Sequence, residues 1–335
     1  MEKQSVTIYT VAREANVSMA TVSRVVNGNQ NVKPETRDKV LAVIKKLNYR
    51  PNAVARGLAS KKTTTIGVVI PDITNDYFAE LALGIDDIAT MYKYNMILTN
   101  SDADGSSAIK VVQNLFAKQV DGVIFMGHDI EDQLQAEFSK ATVPVVVAGS
   151  LTNDKNIPSV RIDYEQATKE AVSFLLKHGN KKVALLIGSR ETTINKFNRI
   201  PGYKAALKQA HVKFNDSLVF EADDSYENGY KLAKQMVKKG ITAAFVSDDS
   251  SAAGLLNGLT DSNVKVPEDF EIITGNDTKL ATITRPTLTS ITQPLYDVGA
   301  VAMRLLTKLM SNDNDDEEKQ PVILQHGFEE RQSTR

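Results

Sequence analysis

The sequence predicts an N-terminal all-α helix-turn-helix headpiece with a hinge helix, followed by a larger α/β core of two βαβ subdomains. Three observations predict it. Up to about residue 62, apolar residues recur at three- and four-residue spacing, the helical period. Beyond it, short apolar runs alternate with amphipathic stretches, as in parallel sheets. Charge changes at the same boundary: residues 1–62 carry twelve Lys/Arg and four Asp/Glu, a balance of +8, and the remainder carries −9. A basic head on an acidic body is expected of a small domain that meets a polyanion, although a solvated basic helical domain has the same composition.

The headpiece (1–62) reads as helices near 7–15, 18–27, 35–47 and 52–59. Thr7 and Ser18 are suited to cap the first two. The turn between them needs a left-handed residue, and Asn16 tolerates that conformation. Ala12 is small where two helices approach, and Val17, Val22 and Val25 supply a shared core. This spacing over about 7–27 is the helix-turn-helix signal. It leaves Met19, Ala20, Ser23 and Arg24 on the outer face of the second helix. Arg24 can pair bidentately with guanine, and Met19 and Ala20 can pack on thymine methyls. A helical hairpin with an exposed arginine would read the same way.

The stretch YRPNAVARGLASKK (49–62) predicts a hinge helix at 51–60. Pro51 suits its first turn. About eight residues with Gly57 inside make a helix that is marginal in isolation. Leu58, flanked by Arg56, Lys61 and Lys62, has the character of an apolar wedge for the minor groove; a plain linker is the alternative.

The core (63–335) carries apolar runs at 66–70, 95–99, 121–125 and 143–149, then at 183–188, 218–222, 243–247 and 270–274. Helical stretches lie between them, among them Asn75–Met91, Gly105–Lys118, Tyr164–His178 and Tyr226–Lys239. Two similar lobes follow, about 63–160 and 165–288, with TSIT (289–292) and a strand near 321–331 crossing back. Ligands of such sheets lie at the carboxyl ends of strands, here the cleft between lobes. The run NDNDDEEK (312–319) reads as an acidic surface loop.

Composition narrows the function. Apolar residues are 42 % of 335, enough for a full core, and there is no cysteine for disulfide or thiolate chemistry. MEKQSVTIYTVAREA lacks the apolar region of a signal peptide, and no run approaches the roughly 18–20 apolar residues that span a bilayer. A cytoplasmic protein without a membrane partner is expected, which argues against a transport-type binding protein. IPDITNDYF after the first core strand lacks a glycine-rich phosphate loop. His128, His178, His211 and His326 are scattered without metal-ligand or triad spacing. No enzyme, cofactor or metal site is expected.

TIYTVAREANVSMATVSRVVNGN followed by YRPNAVARGLASKKTTTIGVVIP resembles the LacI/GalR family of bacterial regulators. The resemblance covers nearly the whole chain, and the core is similar to the family's periplasmic-binding-protein-like domain. It implies a homodimer on a palindromic operator, with the second helix in the major groove and paired hinge helices in the minor groove. The DNA-binding residues it implies are Thr7, Ser18, Met19, Ala20, Thr21, Ser23, Arg24 and Asn29 in the headpiece, and Asn52, Ala55 and Leu58 in the hinge. No leucine heptad follows the core in EERQSTR, so a dimer rather than a tetramer is expected.

The runs ATMYKYNMIL, KQVDGVIFMG, IPSVRIDYEQA and QPLYDVGAVAMRLLTK are similar to a branch of the family that governs carbon catabolism. It binds cre operators with HPr phosphorylated on serine. By that resemblance Tyr296, Asp297, Arg304, Thr307 and Lys308 contact phosphorylated HPr. The residues themselves place an apolar stripe (Val298, Val301, Ala302, Leu305, Leu306, Leu309) opposite Asp297, Ala300, Arg304, Thr307 and Lys308. Small Ala300 is expected to keep that second face flat and approachable. An ordinary solvated face with Asp297 stabilising the helix dipole fits equally.

For the cleft, sugar- and purine-binding relatives use an arginine before a G-[YW] pair, matched by Arg199, and a late aspartate. Here Asn276 stands at the latter position, with Asp277 next, while Ser247 and Asp248 end another strand. An amide lacks the charge for a strong grip on a sugar. The expected cleft ligand is therefore at most a weak sugar-phosphate effector near Arg199, and an interlobe salt bridge is the other reading of that arginine.

Overall fold

The computed structural model describes residues 6–29, 31–50, 62–102, 107–127, 129–130, 132–152, 154–311 and 320–335. The expected hinge helix 51–60, with Asn52, Ala55 and Leu58, and the acidic run 312–319 lie outside the described residues. The chain divides into two compact units, Met1–Thr63 and Thr64–Arg335.

The first unit holds α1 (Ile8–Glu14), α2 (Met19–Val26) and α3 (Pro34–Leu47). Each start and stop has a local cause. The Thr10 N–H donates to Thr7 Oγ1 at 3.4 Å and the Thr21 N–H to Ser18 Oγ at 3.1 Å, satisfying helix-start donors that would otherwise be orphaned. Asn16 turns the chain between α1 and α2 at φ 49°, and Pro34 opens α3. Val11, Ala12, Ala15, Val22, Val25 and Val40 are buried together, with Val17 partly buried against them. Burying a valine side chain contributes about 1.5–3 kcal/mol, and among the described residues of the unit these are the fully buried apolar ones.

The second unit contains two six-stranded sheets. The first is built from β1 (Thr65–Ile70), α4 (Asp76–Met91), β2 (Asn95–Asn100), α5 (Ala108–Ala117), β3 (Gly122–Met126), α6 (Asp132–Lys140), β4 (Val145–Ala148) and β5 (Ser159–Ile162). The second is built from α7 (Tyr164–Lys177), β6 (Val183–Ile187), α8 (Ile200–Gln209), β7 (Val219–Glu221), α9 (Tyr226–Lys238), β8 (Ala243–Val246), α10 (Asp249–Thr260), β9 (Glu271–Thr274), α11 (Lys279–Ile283) and β10 (Thr289–Thr292). Then come α12 (Leu295–Met310), β11 (Val322–Leu324) and β12 (Gly327–Glu329).

Strand order is β11-β5-β4-β3-β1-β2 in the first sheet and β12-β10-β9-β8-β6-β7 in the second. Every pairing is parallel except β10 with β12. Parallel strands need crossover helices, and these cover both faces of each sheet. Ile66, Val68 and Ile70 pack under α4 and α12, while Val69 faces α5 and α6. Leu185 and Ile187 face α7 and α8; Ala184 and Leu186 face α9 and α10.

The returns are more numerous than the sequence suggested. TSIT remains in the second sheet as β10; α12 and β11 go back to the first lobe, and β12 to the second. The chain thus crosses between lobes near residues 163, 294 and 326. Three parallel connections are suited to a hinge between two rigid bodies. No helix among the described residues is long and apolar enough to cross a membrane.

Candidate nucleic-acid interface and core sites

The α2 face is set by the packing beneath it. With Val22 and Val25 buried, Met19, Ala20 and Arg24 are exposed, Met19 by 51 %, and Thr21 and Ser23 are partly exposed. Ser18 and Thr21 also share a 2.9 Å hydroxyl contact, and Thr7 meets Thr10. Asn29 is exposed; its side chain accepts from the Asn31 N–H at 2.9 Å and its carbonyl from Arg37 at 2.8 Å. Tyr9, 64 % exposed on α1, was not singled out from the sequence, where it reads only as a helical position.

The α12 face rests on a glycine crossing. A Cβ on Gly84 would stand 2.0 Å from the Tyr296 carbonyl oxygen, and one on Gly299 would stand 2.0 Å from that of Leu81. Only glycine allows α4 and α12 to approach so closely. Val298, Ala302, Leu305 and Leu306 are then buried, and Tyr296, Asp297, Arg304 and Lys308 point to solvent. Ala300 departs from expectation: it is buried at 4 % exposure because the close crossing brings α4 over it. Thr307 is partly exposed and spends its hydroxyl on the Met303 carbonyl at 2.8 Å, a bond to its own helix. The Tyr296 hydroxyl donates to Asp87 at 2.9 Å, and that hydrogen bond, rather than burial, leads the rise in its pKa. Arg304 makes no hydrogen bond or ion pair with a described residue.

At the cleft, chain order reverses beside β1 in one lobe and β6 in the other, where α/β sheets place ligands. The Arg199 guanidinium lies 5.4 Å from the Tyr164 ring centroid and donates to Asn195 at 3.0 Å. Tyr164 and Tyr77, from opposite lobes, both donate to the Gly149 carbonyl, at 2.8 and 3.0 Å. Asp248 caps α10 through the Ser251 N–H at 2.9 Å and also accepts from the side chain of Asn75 in the other lobe; burial raises its pKa and these bonds pull it back. The Ser247 hydroxyl is buried, with no hydrogen-bond partner among the described residues.

Two expected cleft residues are already engaged. Asn276 accepts from Gln293 at 2.9 Å, and Asp277 from Arg331 at 2.6 Å. Asp249, next to Asp248, is committed to Thr274 and Thr278 and holds the loop after β9. One residue was missed. Asp224 lies close to Asn195: a Cβ on Gly188 would be within 4 Å of both. Its side chain still meets solvent. Desolvation by the surrounding walls, then the Asp248 charge, push its carboxyl above the ordinary range, against the pull of Arg199. In the sequence it is one aspartate of ADDS after a short strand, with nothing to mark it. Among the described residues no group of three metal-ligating side chains is placed to hold an ion.

Known proteins share this architecture. Residues 7–52 match the bacterial regulatory proteins of the lacI family, and residues 63–328 match the periplasmic binding proteins and sugar binding domain of the LacI family. Catabolite control protein A of Streptococcus mutans is 57 % identical over 331 residues, 99 % of this chain and 98 % of that one. The crystal structure of the transcription regulator CcpA of Lactococcus lactis superposes with a TM-score of 0.77 at 46 % identity, over 81 % of this chain and 99 % of that one. The lac repressor dimer bound to operator and the anti-inducer ONPF superposes with a TM-score of 0.86 at 27 % identity, over 99 % of each chain. Headpiece and core together match over almost their full length, and the chain belongs to the LacI family of DNA-binding transcription regulators, which are not enzymes.

Proposed function

We propose that two copies of this chain read a palindromic cre-type operator in the control of carbon catabolism, with serine-phosphorylated HPr as co-regulator. The observation that carries the reading is the α12 face. Arg304 and Lys308, one helical turn apart, stand exposed on a helix whose other side is sealed onto α4. An arginine and a lysine at that spacing suit a phosphoserine: the guanidinium offers paired donors and the ammonium a point charge. Tyr296 and Asp297 border them at the start of the helix. The relatives named catabolite control protein A support the pathway, and the operator-bound lac repressor dimer supports the DNA and the two-fold state.

In this mechanism Met19, Ala20 and Arg24 read base edges, while Thr7, Ser18, Thr21, Ser23 and Asn29 position the headpiece on the backbone. Asn52, Ala55 and Leu58 act in the minor groove. Co-regulator binding biases the relative orientation of the lobes, which brings the two hinge segments together. Such coupling is about 1–3 kcal/mol and reciprocal, so operator DNA tightens co-regulator binding by the same factor. The test is fluorescence anisotropy of a labelled cre duplex with and without the phosphorylated partner. The expected result is a roughly 5–150-fold gain in affinity, lost in Arg304→Glu while the basal affinity stays. A gain that survives Arg304→Glu would overturn the reading.

A second reading, control by a sugar or sugar phosphate in the cleft, is favoured by Arg199 over Tyr164. Asp248 and Asp224 would then meet the ligand, whereas Asn276 and Asp277 would first have to release their present partners.

A further inference from the structure

The end of α2 is tied down by its backbone. Past Val26 the chain turns at Gly28, whose φ of 70° lies in the left-handed region that favours glycine. The Gly28 N–H donates to the Val25 carbonyl at 3.1 Å and the Asn29 N–H to the Arg24 carbonyl at 2.9 Å. This Schellman arrangement satisfies carbonyls that a helix end would leave orphaned. It is commonly sealed by an apolar contact between the two residues joined by its longer bond. Here those residues are Asn29 and Arg24, both polar and both exposed, so that seal is missing.

A side chain of α3 supplies a closure of another kind. Arg37 donates from Nη2 to the Asn29 carbonyl at 2.8 Å. Val40 and Ile44, three and seven residues further along α3, pack into the core that holds Val22 and Val25 of α2. Arg37 shares their face of the helix and is itself partly buried. A hydrogen bond donated by a cation is stronger than one between neutral groups, and positive charge is favourable at the carbonyl end of a helix. Asn29 thus joins two helices: its N–H is bound to Arg24 of α2, and its carbonyl is held by Arg37 of α3.

We propose that Arg37 is a positioning residue for DNA reading: it fixes the C-terminal turn of α2, and so the angle at which that helix meets the bases, without touching DNA itself. The inference rests on α2 being the reading helix, as proposed above, and adds a residue outside that helix on which its discrimination depends.

The test compares the full chain with its Arg37→Ala and Arg37→Lys variants by fluorescence anisotropy. The probes are a duplex that the parent protein selects from a random library and the same duplex scrambled. Arg37→Ala is expected to weaken binding to the selected duplex about tenfold, the loss of one charge-assisted hydrogen bond. Binding to the scrambled duplex should stay within about twofold, because phosphate contacts carry no sequence information. Arg37→Lys keeps a charged donor on a long side chain and should recover most of the loss. Hydrogen exchange of residues 24–29, measured without DNA, should quicken in Arg37→Ala while α1 stays as protected as in the parent. An Arg37→Ala protein that binds the selected duplex like the parent would overturn the proposal. So would an equal loss on both duplexes, the mark of a phosphate contact, or unaltered exchange at 24–29. Arg24→Ala, measured alongside, separates this proposal from the reading beneath it. Discrimination kept in Arg24→Ala but lost in Arg37→Ala would sink Arg24 as the base reader and leave Arg37 a positioning residue.

Discussion

Replacing Gly84 by alanine adds one methyl group at the α4–α12 crossing, and the structure fixes what that methyl meets. It would stand 2.0 Å from the Tyr296 carbonyl oxygen and 3.0 Å from the Ala300 nitrogen. Both are main-chain atoms inside α12, so no side chain can rotate away. A carbon and a carbonyl oxygen settle no closer than about 3.3 Å, so the helices must part by roughly an ångström. A radial gap of that size forfeits a quarter to a half of each contact it opens. The contacts at stake are among the best buried in the lobe: Leu81, Ile85, Val298 and Ala302. Overpacking of this kind costs about 1–3 kcal/mol, here at the upper end, and alanine returns about 1 kcal/mol of helix propensity. The net expectation is about 2 kcal/mol of destabilisation, a fall of roughly 3 °C in melting temperature for a chain of this size. The assay is thermal unfolding of the full chain, with binding of phosphorylated HPr measured below the transition. Tyr296 and Arg304 ride on the displaced helix, so co-regulator affinity should fall as well. A Gly84→Ala protein as stable as the parent would refute the argument that the crossing depends on a missing Cβ.

Arg24→Ala should reduce discrimination at one base pair of each half-site by about 1–3 kcal/mol, read from binding to operators substituted one position at a time; an equal loss on every sequence would make Arg24 a phosphate contact. Glu271→Gln should remove part of the acid sensitivity of the C-terminal lobe. Its carboxylate, 1 % exposed, accepts from His178, Asn180 and both the backbone and guanidinium of Arg335. Burial raises its pKa, but those donors together hold it below the ordinary value. A carboxyl lowered by folding contributes stability that is present above its unfolded pKa, about 4.3, and disappears as pH falls through the folded value. The raised carboxyls of Asp224 and Asp248 act in the opposite sense, so the measurement is the difference between variant and parent in urea unfolding from pH 7 to 3. That difference should be largest at pH 7 and shrink below pH 4; a constant difference would mean that Glu271 contributes through shape alone.

How far the sequence could be read follows from the range over which each feature is decided. Caps, turns and strand runs are local. Thr7, Ser18 and Asn16 were placed by chemistry within three or four residues of themselves, and eight core strands by their apolar runs. The strand β5 escaped because SVRI is four residues long, follows Pro158 and runs almost directly into α7. Ala300 was misjudged because a helix period tells which residues share a face, while the depth of the groove depends on Gly84, more than two hundred residues earlier. Asp277 shows the same limit: its partner Arg331 arrives on the last crossing between lobes, 54 residues later. Arg199 needed several segments of the C-terminal lobe to acquire its surroundings. Asn195 is its own helical neighbour, but Tyr164 and Asp224 come from separate segments brought beside it by the fold. Exposure is therefore legible in inverse proportion to how many elements decide it. On α2 one helix decides it, and Met19, Ala20 and Arg24 are exposed as its period predicts. On α12 two helices decide it, and Ala300 is buried against the prediction. In the cleft both sheets decide it, and Asn276 and Asp277 are already engaged. A site assembled from both lobes is also the one that a change in their relative orientation alters most.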